Sequence, residues 1–254
     1  MNRAAALDLA HRALRLARAE IAALAALMVV ALGVLTFIEV ADDMTEADGR
    51  AFDEAVLRWL QPVAGEPRGP WWLHEAAADL TSLGGISVLA LFALIAFAFL
   101  LIQGKRLSAA LLALGLAGGV GLSEGLKSLF ERERPPAAYQ AVETLNASFP
   151  SGHALLATVF YLSLGVMLTR ILPRRRLKAF VLGAAMLIAA LVGLTRVYLG
   201  AHWASDVIAG WCAGAAWAMA LWLVAWGVQR WQARHAGGLH DAAPAATDPA
   251  VIGE

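Results

Sequence analysis

Apolar residues run along this chain in long blocks, unlike the short alternations of strands or the one-sided stripes of soluble helices. A helix needs about 20 apolar residues to cross a hydrocarbon core of about 30 Å. Blocks of that length fall at Ala22–Val40, Leu83–Ile102, Leu107–Phe130, Gly152–Leu172, Ala179–Tyr198 and Trp203–Val228. The pattern predicts an all-α integral membrane bundle of six transmembrane helices over residues 22–229. The third block is the least uniform, because it contains Glu124 and Lys127. Ahead of the first block, residues 1–21 form an amphipathic segment carrying Arg3, Arg12, Arg15 and Arg18, which predicts a helix on the cytoplasmic membrane face. The first block is longer than the roughly 7–15 apolar residues of a signal peptide, so it is read as a span. In the first outer loop Phe52, Val56, Trp59 and Leu60 recur at helical spacing, predicting a short helix resting in the interface. Residues 230–254 lack periodicity and are rich in Ala, Gly, Pro and Asp, which predicts a disordered cytoplasmic tail.

Composition supports lipid as part of the solvent. Of the 254 residues 60% are apolar and 16% charged, against about 45–50% and about 25% in soluble domains. A formal net charge of zero excludes a strongly basic nucleic-acid binder. Cys212 is the single cysteine, so neither an intrachain disulfide nor a cysteine metal cluster is available.

The charges are sorted along the chain. The N-terminal arginines, Lys105, Arg106, Arg170, Arg174, Arg175, Arg176, Lys178, Arg230 and Arg234 make up 13 of the 20 basic residues, all in one set of loops. The connection from Ala41 to Ser82 holds nine acidic residues against Arg50, Arg58 and Arg68. Basic loops stay inside, so both termini are expected in the cytoplasm and the acidic loop outside. Trp71, Trp72 and Trp203 fit an outer aromatic belt, Trp231 an inner one, and Tyr198 is read as an interface anchor.

Four basic residues remain: Lys127, Arg132, Arg134 and Arg196, all at the outer ends of spans three and five or just beyond them. His153 and His202 stand at the outer starts of spans four and six, with Asp206 one turn further on. Ionisable groups at such depth are costly, and a set of them on one face points to function more than to separate ion pairs. Lys127, Arg134 and Arg196 would gather positive charge. Pro150-Ser151-Gly152-His153 opens span four, so its free N–H groups and the helix dipole face outward and Gly152 allows close approach of an oxyanion. A phosphoryl group fits such a site. His202 and Asp206 are four apart, so on a helix they share a face. The carboxylate can hold one imidazole nitrogen and leave the other as a nucleophile. His153, from another helix, can supply the leaving-group proton. Glu124, three before Lys127, is read as its ion-pair partner. Gly121/Gly125 and Gly210/Gly214 are read as close helix-packing sites inside the bundle.

The sequence resembles the type 2 phosphatidic acid phosphatase family, whose superfamily also includes vanadium haloperoxidases and glucose-6-phosphatase. The family motif KxxxxxxRP reads here as Lys127-SLFERE-Arg134-Pro135, PSGH as Pro150-Ser151-Gly152-His153, and SRxxxxxHxxxD as Thr195-Arg196-VYLGA-His202-WAS-Asp206. The motifs stand in family order. Thr195 replaces the family serine and keeps a hydroxyl, so the phosphate pocket is expected to survive. The resemblance implies that His202 is the nucleophile, His153 the general acid and Asp206 the residue orienting His202. It implies phosphate binding by Lys127, Arg134, Ser151, Gly152 and Arg196, with no metal and no cofactor. The expected partners are a lipid phosphate substrate and membrane lipids; nucleic acid is not expected, and no oligomeric state follows from the sequence. The expected function is hydrolysis of a lipid phosphomonoester or diphosphate, such as a polyprenyl diphosphate or glycerolipid phosphate, at the periplasmic side of a bacterial inner membrane. A phosphotransferase of the same family is the nearest variant. A non-catalytic transporter or scaffold with an outer-face anion site is the rival, although no inverted repeat with interrupted helices is visible.

Overall fold

The computed structural model describes residues 3–141 and 146–241, with side chains over 20–141 and 146–232. Among them are eight α-helices: α1 (Arg3–Asp43), α2 (Ala47–Leu60), α3 (Trp71–Ser82), α4 (Ile86–Ile102), α5 (Arg106–Phe130), α6 (Gly152–Thr169), α7 (Arg175–Tyr198) and α8 (Ala204–Asp241). Five helices are individually long and apolar enough to cross a membrane: α1 from Glu20, α5, α6, α7 and α8 to Gln232. The chain is an all-helical integral membrane protein. The second expected span is different in kind. Here α3 and α4 pass the same test only as a pair, bent by 49° at the Leu83–Gly85 break. The expected span at Leu83–Ile102 thus begins at the break and corresponds to α4, while the more polar α3 before it falls in the expected outer loop. A Cβ on Gly84 would strike the Val192 side chain of α7, and Tyr161 of α6 donates to the Leu83 carbonyl at 3.0 Å.

Two expectations about the ends of the chain change. The segment 1–21 and the first span lie on one unbroken helix from Arg3, while the amphipathic face expected there falls on side chains outside the described residues. The tail expected to be disordered from 230 begins as helix, since α8 runs to Asp241; 242–254 lie outside the described residues. The short helix expected around Phe52–Leu60 is α2.

At the centre stands α6, packed on α5, α7 and α8, while α1 lies along α8. Leu155, Val159 and Phe160 of α6 join Leu89, Leu112 and Val192 in the main core. In hydrocarbon, helices gain little from leaving one apolar medium for another, so close contact between small residues drives association. Gly210 and Gly214 of α8 meet that expectation. A Cβ on either would stand 2.7 Å from the Ser151 carbonyl and 2.6 Å from the Leu155 carbonyl respectively. A Cβ on Gly33 of α1 would likewise stand 2.9 Å from the Cys212 carbonyl of α8. Gly121 and Gly125 of α5 share the spacing but not the role, since a Cβ there meets nothing within 4 Å among the described residues. The α6–α8 crossing places the first residues of both helices side by side, and Ser151 N–H donates to the Asp206 carbonyl at 2.9 Å.

Candidate active site

Each of the three charged segments owes its shape to a helix end. In the third, α7 finishes in a Schellman turn: Gly200 adopts φ +66°, its N–H bonds the Val197 carbonyl at 3.0 Å, and Ala201 N–H bonds the Arg196 carbonyl at 3.0 Å. Glycine is required at position 200 because of the left-handed φ and because a Cβ would collide with the Tyr139 carbonyl. The chain then turns directly into α8, whose third residue, Asp206, reaches back to accept from Trp203 N–H at 2.9 Å. The intervals between Arg196, His202 and Asp206 are thus a helix C-cap followed by an N-cap. His202 therefore lies just outside α8, not on a shared helical face; its Nδ1 meets Asp206 Oδ2 at 3.3 Å because the capping carboxylate is turned back toward it.

In the second segment, Ser151 caps α6 through its Oγ, which accepts from Ala154 N–H at 3.5 Å. The N–H groups of Gly152 and His153 take no hydrogen bond among the described residues and carry the positive end of the helix dipole. The first segment places Lys127 on the last turn of α5, beside its ion-pair partner Glu124 at 3.1 Å. Glu131, in the left-handed region at φ 44°, reverses the chain and sends Arg132 and Arg134 back over the bundle.

The three segments converge. Arg134 Nη1 lies 3.2 Å from His202 Nε2 and donates to the Ala201 carbonyl at 2.7 Å. Its Nε holds the Asn146 carbonyl at 2.7 Å. Lys127 Nζ would be 3.6 Å from a Cβ on Gly152, and His153 Nε2 faces Gly85 across the α3–α4 break, 3.9 Å from a Cβ there. Lys127, Arg134, Arg196 and His202 all lie within electrostatic range of the His153 ring. Arg196 is buried and donates to Thr81 Oγ1 at 3.3 Å. All eight residues expected in the site thus gather at one end of the bundle. Thr195 does not join them, since its hydroxyl donates to the Val192 carbonyl at 2.7 Å and the residue lines an apolar groove with Trp59, Leu80 and Trp211.

A guanidinium offers only donors, so the contact with Arg134 makes His202 Nε2 an acceptor and puts the ring proton on Nδ1, facing Asp206. The Asp206 carboxylate has a full set of partners: Arg132 on Oδ1 at 2.6 Å, and Trp203 N–H, His202 and the Ser148 hydroxyl on Oδ2. Burial pushes the His202 imidazole down to about 4, although the Asp206 hydrogen bond and charge pull the other way; Arg134 and Arg196 add to the lowering. Burial also lowers the Arg134 pKa, offset in part by Asp206.

This sets a pH expectation. The folded pKa lies below the ordinary value of 6.5, so folded protein holds His202 neutral above pH about 4 and loses stability as pH falls from 6.5 toward that value. Histidine-selective 15N NMR in detergent should show one ring titrating near pH 4 and missing from His202→Ala. A midpoint at 6.5 or above would mean that Asp206 outweighs burial.

Sequence reasoning assigned no role to several groups. Arg132 bridges two buried carboxylates, donating to Asp206 Oδ1 and, at 2.7 Å, to Asp53 Oδ2. Asp53 also takes Ser205 N–H at 2.9 Å and the Ser205 hydroxyl, tying α2 to the start of α8. A signal existed, because Asp53 falls on the same face of α2 as Leu57 and Leu60, where an unpaired acid would be costly. Trp203, read as a belt residue, stacks near Arg132 (5.7 Å to its ring centroid) and donates through Nε1 to the Glu133 carbonyl. Tyr198 donates to the Arg68 carbonyl at 2.9 Å, and the buried Gln61 donates to the Tyr198 carbonyl at 2.9 Å, so both fasten the outer loop to the turn before His202. Ser148 and Thr81 carried no readable signal.

Comparison with known proteins follows the same segments. The PAP2 superfamily is matched over residues 106–230. Phosphatidylglycerophosphatase B of Bacillus subtilis (strain 168) is 35% identical over 144 residues, covering 56% of this chain and 70% of that protein. The crystal structure of a transmembrane PAP2-type phosphatidylglycerolphosphate phosphatase from Bacillus subtilis superposes with a TM-score of 0.69 at 30% identity, over 76% of this chain and 93% of that one. The structure of Aquifex aeolicus LpxE gives a TM-score of 0.50 at 26% identity, over 66% and 92%. With the family match spanning the three motif segments, and with relatives 30% and 35% identical covered over most of their own lengths, the chain belongs to the PAP2 superfamily.

Proposed function

We propose that this chain is an integral membrane lipid phosphatase that hydrolyses a lipid phosphomonoester or diphosphate through a phosphohistidine on His202. The observation that carries the reading is the placement of His202 Nε2: its lone pair faces Arg134, Asp206 backs the opposite ring nitrogen, and His153 enters from a second helix. Lys127, Arg134 and Arg196, with the Ser151–Gly152 start of α6, hold the phosphoryl oxygens and supply the positive charge that spreads over the transition state. Nε2 attacks phosphorus as the bond to the leaving oxygen breaks. His153, as imidazolium favoured by the bound anion, gives that oxygen its proton. Neutral His153 then takes a proton from water as the water oxygen attacks the phosphohistidine, releasing inorganic phosphate and restoring His202. Asp206 keeps the ring orientation and stabilises the charge that forms on it.

The relatives' names include phosphatidylglycerophosphate, which supports a glycerolipid phosphate as one candidate substrate; a polyprenyl diphosphate is the other. The test is inorganic phosphate release by purified protein from a panel of these lipids with EDTA present. Persistence in chelator is expected because cationic side chains occupy the role a metal would fill. Loss in EDTA with recovery in magnesium would overturn the mechanism.

Loop charge supports an arrangement with both termini in the cytoplasm of a bacterial cell and the site on the periplasmic side of the inner membrane. It also supports the division into a cytoplasmic-face segment at 1–21, a catalytic bundle at 22–229 and a cytoplasmic tail. In a Cys212→Ala background, Ala138→Cys should react with an impermeant thiol reagent in cells whose outer membrane is permeabilised, and Pro173→Cys should be protected. The reverse labelling would invert the topology.

A further inference from the structure

Several hydroxyls within the helices of this protein bond back to their own helix. Ser128, Thr158, Thr169 and Thr195 each donate to a carbonyl three or four residues back, at 2.7 to 2.9 Å. Ser123, in the middle of α5, does not. It is 2% exposed, and its Oγ has no hydrogen-bond partner. Among the described residues two other buried side-chain atoms share that condition, His74 Nδ1 and Arg196 Nε. Arg196 belongs to the site proposed above, and Ser123 borders it. One turn before Lys127, Ser123 presents its hydroxyl on the same face of α5. A Cβ on Gly152 would lie 3.2 Å from Ser123 Oγ and 3.6 Å from Lys127 Nζ. The glycine therefore keeps open a small space at the start of α6, bounded by a free hydroxyl, an ammonium and N–H groups that no protein atom satisfies. A buried hydroxyl with no protein partner lowers stability unless something else accepts or donates to it, and a phosphoryl oxygen at the start of α6 would do so.

We propose that Ser123 is a further phosphate ligand, its hydroxyl donating to the phosphoryl oxygen that Lys127 also contacts. The role rests on the phosphatase reading, and it adds a neutral donor to a pocket otherwise built from charged side chains and helix N–H groups. The neutral donor strengthens oxyanion binding without deepening the repulsion among Lys127, Arg134 and Arg196 in the unliganded protein. Stability and function then pull in opposite directions at this one atom.

Ser123→Ala separates the two. In the purified protein the unliganded melting temperature should hold or rise, because the substitution removes an unpaired polar group. Orthovanadate affinity, read from the ligand-induced thermal shift, should fall about 10- to 100-fold, the range for losing one hydrogen bond to a charged group. The ratio kcat/KM should fall by a similar factor. Ser123→Cys, close in size but a weak donor, should resemble Ser123→Ala. Unchanged vanadate affinity in both variants would overturn the proposal. A weaker affinity accompanied by a lower unliganded melting temperature would also overturn it, since that marks a structural hydroxyl. If the wild-type protein released phosphate but Ser123→Ala matched it in every readout, the fault would lie with Ser123 alone. Wild-type protein that neither binds vanadate nor releases phosphate would defeat the phosphatase reading and this one with it.

Discussion

His202→Ala should leave almost no turnover and no covalent intermediate, whereas His153→Ala should impair the enzyme in proportion to how poorly the leaving group departs. His153 stands in the first turn of α6 and His202 just before α8, held by Asp206, so in the proposed roles their losses should differ in kind. Removing a general acid typically costs about 10²–10⁴-fold when the leaving oxygen needs a proton. A lipid phosphomonoester, with an alkoxide leaving group, should show the full loss. A diphosphate, whose leaving lipid phosphate is more acidic, should show less, and p-nitrophenyl phosphate the least if the pocket admits it. Rapid quench with 32P-labelled substrate should trap labelled protein in His153→Ala and none in His202→Ala. Equal slowing of good and poor leaving groups by His153→Ala, with turnover surviving in His202→Ala, would reverse the roles.

Arg132→Ala should produce the largest loss of stability of any single substitution near the site. Arg132 is the shared cation of Asp53 and Asp206, whose side chains are 1% and 0% exposed. Taking away one member of a buried charge cluster costs about 3–5 kcal/mol, since the remaining carboxylates are left unpaired out of water. Activity should fall with it, because Asp206 loses the contact that sets the plane of its carboxylate against His202. Arg132→Lys retains the charge but has no planar fork to span two acids, and should lie between wild type and alanine. Arg132→Met combined with Asp53→Asn should recover much of the stability while activity stays low, which a double-mutant cycle on melting temperature and kcat would register. Additive effects in that cycle would show that Arg132 and Asp53 do not act as a coupled pair.

The contrast between glycine pairs shows how far spacing alone carries. Gly121/Gly125 and Gly210/Gly214 are indistinguishable as patterns, yet only the second pair lies against another helix. Likewise Thr195 stands at a motif position where the family has serine, and its hydroxyl donates to the Val192 carbonyl of its own helix. Asp53 was legible as an acid on an apolar face, but its partner lies 79 residues away. Thr81 and Ser148 reach Arg196 and Asp206 across similarly long separations, and nothing local marks them.

What the amino-acid sequence determined by itself is whatever depends on neighbours in the chain. Span lengths follow from apolar residues summed over about 20 positions. Within each motif the geometry is also local: the Ser151 N-cap, the Gly200 Schellman turn and the Asp206 back-cap all arise from a few consecutive residues. The tertiary structure alone decided which helix faces meet. It placed the α6 and α8 starts side by side, set α3 and α4 at a 49° bend with Gly84 and Gly85 against Val192 and His153, and joined Asp53 to Asp206 through Arg132. In a medium where every apolar face is about equally content against lipid, partner choice rests on steric fit and on the pairing of rare buried charges. Both are properties of surfaces assembled from distant segments, so no window along the chain contains them.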